Sequence, residues 1–175
     1  HLTRLHNLIL RDCNLTSRSV ATFNCFPELE NLTLVDTEIS GDGIATLKRL
    51  RKLESLTAND VTNPSAFLRK ISGKTRLHSL SLKSTGLRDD DLKLISQIAN
   101  LKDLTIGSNP DITNQGLAYL AKCKKLKKLQ IKHIPFQPGC VSVLAQIKGL
   151  KSLLIDPKSL SKAEVSALRR ALPEC

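Results

Sequence analysis

LHSLSLKSTGLRDDDLKLISQIAN, residues 77 to 100, carries two rhythms in one short stretch. Leu80 and Leu82 stand two apart, which is strand spacing; they share one face, and Ser79, Ser81 and Lys83 share the other. Leu87, Leu92, Ile95 and Ile98 are then spaced as on one side of a helix. Between the two halves, RDDD (88–91) places carboxylates where a helix N-terminus attracts them. SGDG (40–43) and TNQG (113–116) open equivalent segments, and Ile39, Ile44, Leu47 and Leu50 repeat the helical spacing.

The same unit returns along the chain. Leu5, Leu29, Leu53, Leu77, Leu101, Leu126 and Leu150 recur every 24 residues, with one step of 25. Three residues after each stands Leu8, Leu32, Leu56, Leu80, Leu104, Leu129 or Leu153. Two further on come Leu10, Leu34, Ala58, Leu82, Ile106, Ile131 and Ile155. The extra residue of the long step lies in GSNPDI, between Ile106 and Ile112. One domain over 1–175 follows, with repeats starting near 5, 29, 53, 77, 101, 126 and 150. A single unit cannot bury its own apolar face, whereas stacked units share a continuous core. Seven strands at ~4.8 Å spacing make an arc roughly 30 Å across.

LxxLxL in this register resembles the leucine-rich repeat family over essentially the whole chain. TEISGDGIATL (37–47) and NPDITNQGLAYLA (109–121) resemble the T/N-x-I-T-D-x-G-L-x-x-L units of bacterial repeats, and they are also similar to the cysteine-containing subclass found in F-box adaptors. The latter place Cys where Cys13 sits, while here the column continues Thr37, Val61, Thr85, Asn109, Ile134 and Lys158. That departure favours the bacterial type. The resemblance implies an α/β solenoid, a right-handed horseshoe arc with a parallel sheet on its concave face and helices on its convex face.

Both ends and one repeat stand out. Leu2 falls in the column of Phe26, Leu50, Ile98 and Ile147, so the chain is expected to start inside a preceding unit or cap whose remainder is missing. Position 1 is not Met, which suggests trimming. At the other end SKAEVSALRRAL (161–172) opens on a Ser161–Glu164 capping box and is expected to close the stack. Repeat three has Ala58 in a strand core position, Asn63 where Ile or Leu belongs, and Lys74 in a helix core column. An Asn63-Pro64 turn explains this; a deformed docking patch is the alternative.

Charge and cysteines bound the function. A net charge of +11 biases the protein toward acidic partners. No apolar run reaches the ~18 residues of a membrane span. Cys13, Cys25, Cys123, Cys140 and Cys175 are scattered without zinc-finger spacing. They favour a reducing, cytoplasmic compartment over a disulfide framework; an extracytoplasmic domain of a longer chain is the alternative.

In a stack, equivalent positions become columns. One outward column runs Asn7, Asn31, Ser55, Ser79, Asp103, Lys128, Ser152. The next is Ile9, Thr33, Thr57, Ser81, Thr105, Gln130, Leu154. A third is Arg11, Val35, Asn59, Lys83, Gly107, Lys132, Asp156. From these come the candidates for partner binding: Arg11, Thr33, Val35, Thr57, Asn59, Ser81, Lys83, Asp103, Thr105, Lys128, Gln130 and Lys132, with His133 beside them. Hydroxylated β-branched residues equally suit a strand surface that binds nothing.

Two charged features accompany them. Asp12, Asp36 and Asp60 would stack ~5 Å apart as an acidic ladder that a cation, or a partner's Arg or Lys, could relieve; alternatively each serves its own turn. In KCKKLKKLQIKH (122–133), Leu126, Leu129 and Ile131 are core residues and the lysines fill the gaps, at a helix-to-strand junction. From Asp111 to Asp156 no acidic residue intervenes among eight lysines. Lys122, Lys124, Lys125, Lys127, Lys148 and Lys151 form a basic edge beside Lys128 and Lys132. Solvation, or the favourable placement of Lys at a helix C-terminus, is the competing explanation.

An enzyme is not indicated. His6 and His78 are equivalent positions three repeats apart, about 14 Å, too far to share a metal, and His133 lies in another column. No HExxH, phosphate-loop or nucleophile-elbow pattern occurs, and no cofactor or metal is implied. A nucleic-acid binder would use the lysines but lacks interleaved aromatics. The expectation is a non-enzymatic module for a protein partner with an acidic surface. Polyanion, nucleic-acid or anionic-lipid binding through the 122–151 lysines is the alternative.

Overall fold

In a computed structural model, residues 3–47, 50–72, 76–156 and 158–175 are described. Strands and helices alternate: β1 (Asn7–Arg11), α1 (Ser17–Ala21), β2 (Asn31–Val35), α2 (Gly41–Ile44), β3 (Ser55–Ala58), α3 (Ser65–Ile71) and β4 (Ser79–Ser81). The order continues with α4 (Asp89–Ile95), β5 (Asp103–Thr105), α5 (Asn114–Tyr119), β6 (Lys128–Gln130), α6 (Cys140–Leu144), β7 (Ser152–Leu154) and α7 (Lys162–Ala171). Short 3₁₀ turns, Thr22–Cys25 and Leu120–Lys122, extend α1 and α5. The seven strands form one parallel sheet in sequence order. Parallel neighbours need a crossover, and here each crossover carries a helix.

Register follows the leucine columns. Leu8 pairs with Leu32, Leu32 with Leu56, Leu56 with Leu80, Leu80 with Leu104, Leu104 with Leu129 and Leu129 with Leu153. Leu32, Leu56, Leu80 and Leu104 are each 1 % exposed and Leu129 is 0 % exposed. Leu77, Leu80 and Leu82 lie inside. Leu5, Leu8 and Leu153 are only partly buried, because units at the ends have one neighbour to pack against instead of two.

A backbone fork locks each strand to the next. The carbonyl of the residue before each of β1 to β6 accepts two amides from the following repeat. His6 receives Glu30 and Asn31, both at 2.9 Å, and His78 receives Lys102 at 2.8 Å and Asp103 at 3.0 Å. Lys102 receives Lys127 at 2.7 Å and Lys128 at 2.9 Å, and Lys127 receives Lys151 and Ser152. The fork uses main-chain atoms only, so the fold leaves side-chain identity at these positions open.

The helices are shorter than the apolar spacing predicts. The expected pattern Ile39, Ile44, Leu47, Leu50 is buried throughout, yet α2 ends at Ile44, and Leu47 and Leu50 reach the core from beyond the helix. Ile98 likewise lies beyond α4. Burial in a thin repeat needs the side chain to point inward, and one turn of helix followed by a tight turn achieves that in fewer residues. Ser40, Thr113 and Ser161 cap their helices through side-chain oxygens. In α4 the Asp91 carboxylate accepts from the Arg88 amide at 3.0 Å and from the Ser65 hydroxyl.

Repeat three keeps the strand register despite its departures from the pattern. Ala58 is fully buried, and Asn63 turns the chain outward with a φ of +51° and donates to Asp42 at 2.8 Å. Gly41 faces this turn: a Cβ there would lie 1.9 Å from the Asn63 carbonyl oxygen. Leu2 and Lys74 lie outside the described residues.

Candidate partner-binding surface

The strands hold two of the outward columns in the register the spacing predicts, and the third lies in β1 and β2 and then just past the ends of β3 to β7. Ile9, Thr33, Thr57, Ser81, Thr105, Gln130 and Leu154 form one continuous row of strand partners. At the row's two ends stand the exposed large hydrophobics of the described residues, Ile9 at 62 % and Leu154 at 41 %. Strand exit follows a repeated device. Asp12, Asp36, Asp60, Ser84, Ser108 and His133 occupy one column and all take a positive φ, from +49° to +59°. Asp tolerates that left-handed conformation better than most residues. The acidic ladder therefore has a local conformational reason for its residue type. Among the described residues no group of three or more His, Cys, Asp or Glu could hold a metal ion.

Charge divides the sheet in two. At the entries of β1 to β4 three glutamates lie beside basic side chains. Glu28 meets Lys52 at 2.5 Å, Glu30 lies 3.3 Å from His6, and Glu54 lies 3.5 Å from His78 and 3.9 Å from Arg76. The hydrogen bond from Lys52 holds the Glu28 carboxyl below its ordinary range. Polar side chains there bond to one another. Asn31 donates to Asn7 at 2.6 Å, and the Asn59 carbonyl accepts from the Ser81 hydroxyl at 2.9 Å and the Lys83 amide at 3.0 Å.

From β5 onward the fork column becomes Lys102, Lys127 and Lys151. Lys128 lies 3.9 Å from Asp103, and Lys151 pairs with Glu174, whose carboxyl it holds below the ordinary range. Lys124 donates to the Ala121 carbonyl at 3.2 Å, Lys125 bonds to Asn100, and Lys122 sits 5.6 Å from the Tyr119 ring centre. Lys122, Lys124, Lys125, Lys127, Lys148 and Lys151 thus sit where helices return to strands. Lys83, Lys132 and His133 sit at the opposite ends of the strands.

The second group converges. Lys83, Thr105, Gln130, Lys132 and His133 line one cavity of about 320 Å³ together with Gly107, Ser108 and Leu154. The His133 amide donates to Asp156 at 2.5 Å, with the ring nitrogen Nδ1 at 3.7 Å from the same carboxylate. Arg11, Thr33, Val35 and Thr57 lie on β1 to β3 and do not share this cavity. A second cleft, about 390 Å³, separates β7 from α7 and is walled by Leu153, Ile155, Leu168 and Leu172.

Reading the sequence missed Lys102, because a count of lysines between two aspartates is linear whereas the fork column is not. It also passed over Gly107, whose signal was a missing side chain in a column. The largest omission is Asn109. Fully buried, it donates to the carbonyls of Leu82 and Ile106 at 2.9 Å and of Gly107 at 3.1 Å. Its own carbonyl accepts from the amides of Thr85 and Leu87, both at 3.0 Å.

No family model matches the sequence, and no curated protein does. Solved structures do. An internalin C2 from Listeria monocytogenes matches with a TM-score of 0.60 at 24 % identity, over 78 % of this chain and 56 % of that one. The internalin InlF from the same organism matches with a TM-score of 0.65 at 18 % identity, over 97 % of this chain and 53 % of that one. The fold is a leucine-rich-repeat solenoid. The chain spans a little over half the length of these two relatives in fold. In solenoid terms β1 to β7 form the concave face and α1 to α7 the convex one.

The acidic cluster on the helical side has structural work in this solenoid. Asp89 accepts from the Thr113 amide at 2.8 Å and from its hydroxyl at 2.5 Å, tying α4 to the start of α5. Gly116 permits the approach, since a Cβ there would lie 2.2 Å from Asp89 Oδ1. The cysteines follow burial: Cys123 and Cys140 are buried, Cys13 is partly so, and Cys25 and Cys175 are exposed. Burial pushes the Cys123 thiol up to about 11, which suppresses the reactive thiolate.

Proposed function

We propose that this solenoid is a non-enzymatic protein-interaction module. It engages a partner with an acidic surface through the concave strand face and the lysine-rich C-terminal edge. The observation that carries the reading is the division of charge. In the first repeats Glu28, Glu30 and Glu54 each lie beside a basic side chain, whereas from β5 onward lysines outnumber the carboxylates near them. The fold does not require this, because the fork is made by the main chain. A preformed strand surface also spares a binder the cost of ordering a loop. The bacterial type of the repeats belongs to the same proposal, supported by the close packing that Gly43 and Gly116 allow at equivalent positions.

The test is capture of a stoichiometric acidic protein by the wild-type chain, compared with a Lys128→Glu/Lys132→Glu variant. Loss of the captured protein supports the reading; undiminished capture overturns it. The second reading, a polyanion or anionic-lipid surface, draws on the Lys102, Lys127 and Lys151 column. Retention on heparin that modest salt abolishes, with no protein co-purifying, would favour it.

A further inference from the structure

We propose that the cavity at the exits of β4, β5 and β6 is an oxyanion subsite. It seats a carboxylate side chain from an extended segment of a partner protein between Lys83 and Lys132, and Leu154 receives an adjacent apolar side chain. The proposal rests on the reading of the concave face as a protein-binding surface and adds the chemistry of what is bound.

Lys83 and Lys132 occupy the same column two strands apart, about 10 Å at ordinary strand spacing. The residue between them is Gly107, so the column has a gap where every other repeat has a side chain. The gap is enforced, since a Cβ on Gly107 would lie 2.8 Å from the Lys132 carbonyl oxygen. Four-carbon stems let both ammonium groups lean over that gap. Among the described residues neither ammonium has a carboxylate within ion-pair distance, in contrast to Lys52, Lys128 and Lys151. The floor is rigid: Asn109 holds the Gly107 carbonyl, and the Ser108 amide donates to the Lys132 carbonyl at 2.8 Å. The main-chain floor needs no ordering on binding, and the cost falls on the two lysine stems. Gln130 offers a side-chain donor on the wall. Leu154, 41 % exposed, is the apolar lip of the same cavity. Two cations, a donor and one apolar surface match an acidic side chain followed by an apolar one.

The experiment uses the full chain, ¹⁵N-labelled, titrated with the capped peptide Gly-Glu-Leu-Gly, its Gln counterpart Gly-Gln-Leu-Gly, and inorganic phosphate. The acidic peptide should give saturable amide shifts centred on Gly107, Ser108, Gln130 and Lys132. Exchanging Glu for Gln in the peptide should weaken binding about threefold, as for an exposed ion pair. Lys83→Ala and Lys132→Ala should each cost about threefold and together about tenfold, and Leu154→Ala should weaken the peptide but not phosphate. Both lysines are exposed; if an alanine variant loses its dispersed spectrum, Lys83→Gln and Lys132→Gln replace it. Shifts centred on Lys102, Lys127 and Lys151, or affinity indifferent to Lys83, would overturn the subsite. Equal binding of phosphate and peptide with no dependence on Leu154 would reduce it to a bare anion site and overturn the peptide assignment. The expected peptide shifts with no acidic protein captured by the wild-type chain would sink the broader reading and leave the subsite's carboxylate chemistry standing. Capture lost without peptide shifts would do the reverse.

Discussion

Asn109 shows how much one side chain can hold in this fold. Its amide and carbonyl satisfy main-chain groups of both its own turn and the preceding one. Neighbouring positions of the column solve the problem differently: Val61 and Ile134 fill space, while Thr37 and Thr85 are buried hydroxyls. Asn109→Ala would strand several buried main-chain groups, each costing roughly 1–3 kcal/mol. The expected loss is about 3 kcal/mol or more in urea unfolding at neutral pH, with amide exchange accelerated first at Thr85 and Leu87. A loss below about 1 kcal/mol would mean water replaces the side chain. From sequence alone, Asn109 was visible as the first residue of the NPDITNQGLAYLA unit and as a departure from the cysteine column. Its role depends on atoms contributed by another repeat.

At the scale of elements, caps decide where helices begin, and α7 is the clearest instance. The Ser161 hydroxyl accepts from the Glu164 amide at 3.3 Å, and the Glu164 carboxylate accepts from the Ser161 amide at 2.8 Å. Donation from the Ser161 amide and from its hydroxyl to the carboxylate holds the Glu164 carboxyl below its ordinary value of 4.5. Because the folded value lies below the unfolded one, the contribution is fully present above pH 4.5 and is lost as pH falls through the lower folded value. Ser161→Ala should cost about 1 kcal/mol at pH 7. The penalty of Glu164→Ala should be measurable at pH 7 and shrink toward zero in acid, checked by urea unfolding at both. A penalty that grows on acidification would contradict the capping role. This cap was legible because a capping box is local, four residues long. The lengths of α2 and α4 were not, because apolar spacing reports which residues are buried, and burial persists into the turns after the helix.

Over the whole molecule, the contrast is between a spine that is uniform and a face that is not. Leucines repeat in every unit, while the fork column changes from His6, Glu30, Glu54 and His78 to Lys102, Lys127 and Lys151. Since the fork is main chain, a Lys102→Ser/Lys127→Ser/Lys151→Ser variant should stay within about 0.5 kcal/mol of wild-type stability. The exposed Lys151–Glu174 pair adds little to that. The same variant should elute from a sulfated column at distinctly lower salt. Unchanged elution would show that the charge is spread evenly around the solenoid instead of lying along one edge.

By itself the sequence determined the architecture. Seven strands in register, their outward columns and their core follow from leucines at a constant period, because a periodic chain that must bury a periodic stripe can do so only by stacking. The tertiary structure alone decided which surface residues meet. The period already set Lys83, Gly107 and Lys132 side by side in one column, but that they and Leu154 from another column enclose one cavity is a tertiary fact. They share a cavity because a glycine lets two main chains approach and a buried asparagine from the same turn holds them there. Such contacts depend on distances between repeats, and a period specifies order and spacing without specifying what stands across the gap.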